Sequence, residues 1–310
     1  MTDSPRPLVA WATLGMIGVG HMGLPMASRL LEAGYALRCF DTDPAALRRV
    51  CDLGAHPADT PAEVVSDAAT VLLSLPSSAV VEDVLLAPGF ADAVRPDTVL
   101  VDMGSSRPSS TQMLGGRFES LHAGYVDAPV SGGVAGAEAG SLTIMVGGPD
   151  WAVTTVRPVL DVLGSKVLHV GDVGAGHALK ALNNLLSATH MLATSEAMRI
   201  GEAFGLDQET MLTALSSSSG RSGSTEVKWP RYVLTGSYDS GFGLRLMLKD
   251  MQIAVEMAGE TGRSAALGEA AARLWDRAAQ SMPADADHTE IVRWLDSLVS
   301  ETRVSDGHPV

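Results

Sequence analysis

Three glycines at fixed spacing are the first residues able to do chemistry. Gly18, Gly20 and Gly23 form a G-x-G-x-x-G run with Val19, His21 and Met22 in the variable positions. The first glycine permits a tight turn, the second lets backbone approach a pyrophosphate, and the third lets a helix pack closely on the preceding strand. Such a run alone recurs by chance. Here Leu14 to Ile17 reads as a buried strand, Met22 to Ala33 as an amphipathic helix, and Ala36 to Phe40 as a second strand closed by Asp41. That context predicts a dinucleotide cradle. Asp41 can accept both hydroxyls of an adenosine ribose and would repel a 2′-phosphate, which favours NAD. NADP stays open because Arg38, Arg48 and Arg49 are near, and Asp41 also reads as a turn or cap residue ahead of Asp43-Pro44.

A second constellation lies far along the chain. Lys180 and Asn184 are four residues apart in a long helical stretch, so both project from one face. An amine can take a proton from a hydroxyl as a base and return it as an acid. Its ordinary pKa of about 10.4 keeps it an ammonium at neutral pH, and a place in the first turns of a helix with partial desolvation would lower it. The bland alternative is a solvated surface lysine, against which the flanking glycines and the pair Asn183-Asn184 weigh. Ser131-Gly132-Gly133 sets a short side chain before bare backbone, suited to a nest of N–H donors for a carboxylate or to a plain turn. Arg221 either reaches an anionic group or is simply solvated. His177 and His190 read as packing residues, and no three histidines are spaced as a metal site, so no metal is expected.

These groups need a scaffold, and the composition supplies one. The chain has 310 residues, 46% of them apolar and 19% charged, enough for two cores. Lys plus Arg total 22 against 36 Asp plus Glu, a net charge of −14 that repels nucleic acid and anionic lipid. Such a surface also disfavours an anionic cofactor, so N–H groups at a helix N-terminus are a suitable source of positive potential. Cys39 and Cys51 are too few for a disulfide framework and fit a reducing cytoplasm. The apolar stretch Leu8 to Gly20 imitates a secretion signal, but Asp3 precedes it and the glycine run continues it. No uninterrupted apolar run reaches the length of a membrane span.

From Leu14 to Val170, strand-length runs at Leu14–Ile17, Ala36–Phe40, Val71–Leu75, Val99–Asp102, Tyr125–Ala128, Leu142–Val146 and Val167–Val170 alternate with helical periods. This is the pattern of a parallel sheet covered by helices. Thr60-Pro61-Ala62-Glu63 combines a capping box with a first-turn proline, and Gly34 and Gly54 mark helix ends. After Gly171 strand signals cease, and a helix from about Gly176 to Phe204 leads into an all-helical region, within which Ser216 to Gly223 reads as a flexible connection. The reading is an α/β Rossmann domain over 10–172 and an all-α domain over 173–300, joined by a long helix, with a frayed tail over 301–310.

Four motifs in order carry a resemblance to the 3-hydroxyisobutyrate dehydrogenase family of β-hydroxyacid dehydrogenases, from about Leu14 to Ala254. Gly18 to Ala27 is similar to the family's cofactor signature, Asp127-Ala128-Pro129-Val130-Ser131-Gly132-Gly133 to its substrate loop, and Gly174 to Asn184 to its catalytic helix. Lys249-Asp250 matches a further pair after a Gly-Phe-Gly turn. The resemblance implies Lys180 as catalytic acid/base, Asn184 as its substrate-positioning partner and Ser131 to Gly133 as the carboxylate site. It also implies Leu75-Pro76 as the loop beneath the cofactor, and Ser105, where the family has threonine, as a hydroxyl near the nicotinamide ribose. Lys249 is implied as a cofactor-side or active-site lysine, its alternative being a surface ion pair with Asp250 or Glu256. The expected active site is a cleft between the domains, the substrate a small carboxylate, and the assembly a homodimer or homotetramer. Arg29, where the family has asparagine, and Gly115-Gly116, expected to interrupt a helix, depart from the pattern. Rival readings are an imine reductase, which usually lacks such a lysine, a 6-phosphogluconate-type decarboxylating enzyme, weakened by Asn183 where histidine is expected and by the modest length of the helical domain, and a non-catalytic NAD-binding sensor.

Overall fold

The computed structural model describes residues 13–305, with side chains described to 298. The predicted domain start at residue 10, residues 8–12 of the signal-like stretch, and residues 306–310 of the predicted tail lie outside the described residues. The chain divides into two compact units between Lys180 and Ala181.

The first unit is built on a mixed sheet. Its strands are β1 (Thr13–Ile17), β2 (Ala36–Phe40), β3 (His56–Pro57), β4 (Thr70–Leu73), β5 (Val99–Asp102), β6 (Gly124–Asp127), β7 (Val130–Ser131), β8 (Leu142–Gly147) and β9 (Gly164–Gly171). The order is β3-β2-β1-β4-β5-β6-β8-β7, with β9 also paired to β8. Strands β1 to β6 run parallel, so the predicted parallel sheet holds there. Further on the sheet is mixed, with β9 parallel to β8. Strand β8 meets β6 antiparallel at Asp127 and Gly147, and β7 pairs β8 antiparallel.

Both faces of this sheet are covered, which is why its strands read as near-continuous apolar runs. Along β4 to β6, Leu72, Val101 and Val126 enter one buried cluster, while Val71, Leu73, Leu100 and Tyr125 enter the other. The covering helices are α1 (Gly23–Glu32), α2 (Pro44–Asp52), α3 (Pro61–Asp67), α4 (Ser78–Leu85), α5 (Phe90–Ala93), α6 (Pro108–Glu119), α7 (Gly133–Glu138) and α8 (Asp150–Leu163). Thr60 Oγ1 accepts from Glu63 N at 3.2 Å, forming the predicted cap of α3. Helix α6 runs unbroken through Gly115-Gly116, contrary to expectation. The reason is packing: a Cβ on Gly115 would fall 2.8 Å from Val173 Cγ1.

Helix α9 (Ala175–Phe204) crosses from one unit to the next in a single run of 30 residues. The second unit continues with α10 (Gln208–Ser216), a π-helix over Ser224–Val233, α11 (Leu244–Glu260), α12 (Ala266–Ser281), a 3-10 turn at His288–Glu290 and α13 (Ile291–Ser305). Its core gathers Met191, Met198, Trp229, Met251, Trp275 and Leu295. The predicted flexible connection is short, because π-helical turns begin at Ser224. Helix α13 continues through 301–305. No helix among the described residues is long and apolar enough to cross a membrane.

Candidate active site

The loops that follow β1, β4 and β5 meet at the carboxyl end of the sheet. Gly18 N donates to the Phe40 carbonyl at 2.9 Å, Ser74 N to that of Ile17 at 2.9 Å, and Met103 N to that of Leu73 at 2.9 Å. These bonds stack the glycine turn, the Leu75-Pro76 loop and the Ser105 loop side by side. The strand order reverses between β1 and β4, the switch point where open α/β sheets hold their ligands.

Each glycine of the first motif has its own reason. Gly18 has a φ of +89°, and a Cβ there would fall 2.4 Å from the Ser74 carbonyl oxygen. A Cβ on Gly23 would fall 2.3 Å from the Gly18 carbonyl oxygen, so turn and helix are in direct backbone contact. Gly20 differs, since nothing lies within 4 Å of a Cβ built there. This open face beside the first turn of α1 is the space a pyrophosphate needs, and α1 has no side-chain cap at Met22 competing for its N-terminal donors. Val19 is buried and His21 exposed. The residues present therefore fit a dinucleotide.

Asp41 is half-buried beyond β2. Its Oδ2 accepts from Val19 N at 2.7 Å and its Oδ1 from Asp43 N at 2.8 Å, which ties the end of β2 to the glycine turn. Among the arginines considered for a 2′-phosphate, Arg38 is held by Glu63 at 3.3 Å and Asp67 at 3.6 Å, and Arg49 lies 4.0 Å from Asp43. Leu75 and Ser105 are half-buried and Pro76 is exposed.

Ser131 closes β7, and two glycines with positive φ follow it, Gly132 at 134° and Gly133 at 63°. That pair of left-handed conformations turns successive backbone groups out of the strand, and β-carbon-bearing residues would resist it. Lys180 is buried, with 9% of its surface exposed. Asn184 is one turn further along α9 and buried as well, and its Nδ2 donates to Asp250 Oδ2 at 2.5 Å. Its Oδ1 accepts from Asn183 Nδ2 at 3.1 Å. Lys249 is half-buried, its Nζ 3.4 Å from Asp250 Oδ1. Arg221 is largely exposed and lies 3.9 Å from Glu226.

Asp250 is a buried side chain to which sequence reasoning gave no role of its own. It is only 1% exposed and gathers both Asn184 and Lys249. The signal available was its place beside Lys249, which read equally well as a surface ion pair.

With this geometry in place, known proteins supply a direct comparison. Residues 13–171 match the NAD binding domain of 6-phosphogluconate dehydrogenase, and residues 174–295 match the model described as NAD-binding of NADP-dependent 3-hydroxyisobutyrate dehydrogenase. The chain is 41% identical to 2-(hydroxymethyl)glutarate dehydrogenase of Eubacterium barkeri over 80% of its length and 83% of that protein. It is 36% identical to the mitochondrial 3-hydroxyisobutyrate dehydrogenase of Bos taurus, over 87% of this chain and 82% of that one. The chain belongs to the 3-hydroxyisobutyrate dehydrogenase family. It is an oxidoreductase of hydroxy acids with an NAD-binding domain. Among solved structures, Mycobacterium tuberculosis 3-hydroxyisobutyrate dehydrogenase with L-serine superposes at a TM-score of 0.87, with 30% identity, covering 92% of this chain and 99% of that one.

Proposed function

We propose that the chain oxidises the hydroxymethyl group of a small acid HOCH2–CH(R)–COO⁻ to the semialdehyde, and runs the reverse reduction, with Lys180 as general base and acid. The observation that carries this reading is a lysine buried in the opening turns of α9 with a buried, oriented asparagine one turn on. Lysines are seldom fully buried unless paired. 3-Hydroxyisobutyrate, 2-(hydroxymethyl)glutarate and L-serine, which appear in the names of the relatives, share this skeleton and differ only in R.

The reaction removes a proton from oxygen and a hydride from carbon. NAD, when bound on Gly18 to Gly23 and Asp41, supplies the acceptor of the hydride. The Lys180 amine takes the hydroxyl proton in oxidation, and the ammonium returns it to the carbonyl oxygen in reduction. Asn184 has one N–H engaged by Asp250, which holds its amide in one orientation, and the reading gives its other N–H to the substrate hydroxyl. Backbone N–H groups of Ser131 to Gly133 take the carboxylate, a local source of positive potential that a chain of net charge −14 requires. Leu75, Pro76 and Ser105 are assigned to the cofactor, and the family resemblance assigns Lys249 to it as well. Asp41 favours NAD over NADP, in keeping with the carboxylates that occupy Arg38. The exposed Leu182, Leu186, Ile200 and Phe204 on α9 support self-association of the chain.

A substrate panel tests this reading. The chain is assayed with NAD and with NADP against acids in which R is hydrogen, methyl, ammonium or carboxyethyl, with 2-hydroxy acids as controls. Reduction of NAD by at least one panel member and by no 2-hydroxy acid is the expected result. Tight NAD binding with no turnover on the panel would overturn the enzymatic role and leave a sensor.

A further inference from the structure

Helix α9 starts on a buried carboxylate supplied by a distant strand. Asp127 ends β6 and is wholly buried; its Oδ1 accepts from Gly174 N at 2.7 Å and its Oδ2 from His177 N at 2.8 Å. The first N–H groups of a helix have no partner within it, and a side-chain oxygen ordinarily satisfies them from the residue just before the helix. Here the oxygen comes from 47 and 50 positions earlier in the chain. The same turn is tied a second time, because His177 Nδ1 lies 2.8 Å from Thr111 Oγ1.

Close backbone contact locks the arrangement. A Cβ on Gly147 would fall 2.6 Å from Asp127 Oδ1. One on Gly176 would fall 2.9 Å from Asp127 Oδ2 and 2.3 Å from the Met145 carbonyl oxygen. Strand β8 and the first turn of α9 thus close directly over the carboxylate, leaving no room for a side chain at Gly147 or Gly176. From His177 to Lys180 is less than one turn, a rise of about 4.5 Å. Any rotation or slip at the helix start is passed to the lysine through a rigid backbone.

We propose that Asp127 is a positioning residue for the reaction: its carboxylate sets the origin of α9 and thereby the place of the Lys180 amine. This deepens the reading of Lys180 as acid/base and rests on it. Proton transfer is sensitive to placement, and a misplacement of about 1 Å costs on the order of a hundredfold in rate. Asp127→Asn keeps the volume but turns an N–H towards one of the two backbone donors. Thr111→Val removes the hydroxyl that holds His177 and that also donates to the Arg107 carbonyl at 3.0 Å.

The test compares kcat, KM and NAD affinity in Asp127→Asn, Thr111→Val, Lys180→Ala and the double variant Asp127→Asn/Lys180→Ala. Asp127→Asn should lower kcat by about 10- to 100-fold, with the KM for substrate and the Kd for NAD within about threefold. Thr111→Val should lower kcat in the same direction by less, and it decides the matter if the asparagine variant does not fold. On the Lys180→Ala background Asp127→Asn should remove under about twofold more, because there is no amine left to place. Parental kcat in both Asp127→Asn and Thr111→Val, or a loss that multiplies in the double variant, overturns the positioning role. Parental kcat in Lys180→Ala would instead overturn the reading of Lys180, so the two failures are distinct.

Discussion

The amide of Asn184 is fixed by Asp250, Nδ2 to Oδ2 at 2.5 Å, with both side chains buried and 66 positions apart in the chain. A buried hydrogen bond to a carboxylate is stronger than a neutral one, and leaving either partner without it costs about 1–3 kcal/mol. Asn184→Ala should therefore raise the KM for the hydroxy acid by about tenfold or more. Asp250→Ala should shift it in the same direction, since the amide then loses its fixed orientation. Steady-state kinetics on both variants checks this; an Asp250→Ala enzyme with parental KM would contradict the link.

The glycine turn offers two substitutions with opposite failures. Gly20→Ala places its methyl in open space, so the fold should keep its stability while the Kd for NAD rises by about tenfold. Gly18→Ala forces a left-handed residue against the Ser74 carbonyl and should cost about 1–3 kcal/mol of stability before cofactor binding is considered. Urea melts and NAD titrations separate the two. Equal stability loss in both variants would contradict the assignment of Gly20 to cofactor approach.

Much of this was legible in the sequence, and the reason is local. β1, α1 and β2 follow from apolar periodicity bounded by glycines, and α9 from 30 residues without a proline. What was not legible depends on partners distant in the chain. Nothing around Val130 and Ser131 announces a two-residue strand, because β7 exists only through its pairing with Thr143 and Ile144. Gly115 looks like a helix breaker until Val173 is packed against it. Pro230 argues against a helix, yet the segment over Ser224–Val233 forms π-helical turns with Trp229 buried. Asp127 and Asp250 stood inside recognisable motifs, but their contacts become visible only when backbone donors or a side chain 47 to 66 positions away converge on them.

Cofactor choice should respond to Asp41. Asp41→Ala removes the acceptor for a ribose hydroxyl and the two bonds to Val19 and Asp43. The ratio of kcat/KM for NAD over NADP should fall by about tenfold. It should not invert, because Arg38 stays paired with Glu63 and Asp67. Kinetics with both cofactors gives the ratio, and an unchanged value would remove Asp41 from the cofactor site.

Stability should depend on pH through His288. Burial, then Lys228, push this imidazole down from 6.5 to about 4, against the opposing pull of Asp287. The unfolded chain thus binds a proton between those values that the folded chain does not. The contribution is complete above about pH 6.5 and is lost as pH falls towards 4, by at most about 3 kcal/mol. Urea unfolding at about pH 7.5 and about pH 5 should show the drop, and His288→Gln should shrink it. The same drop in parent and variant would exclude His288 as its source.

The central claim is that the buried amine of α9 exchanges the substrate proton. Single-turnover and steady-state rates of Lys180→Ala, measured with the best acid of the panel, test it most directly. The account predicts a fall in kcat of at least about a hundredfold, with the Kd for NAD nearly unchanged. A variant that turns over at the parental rate would contradict it.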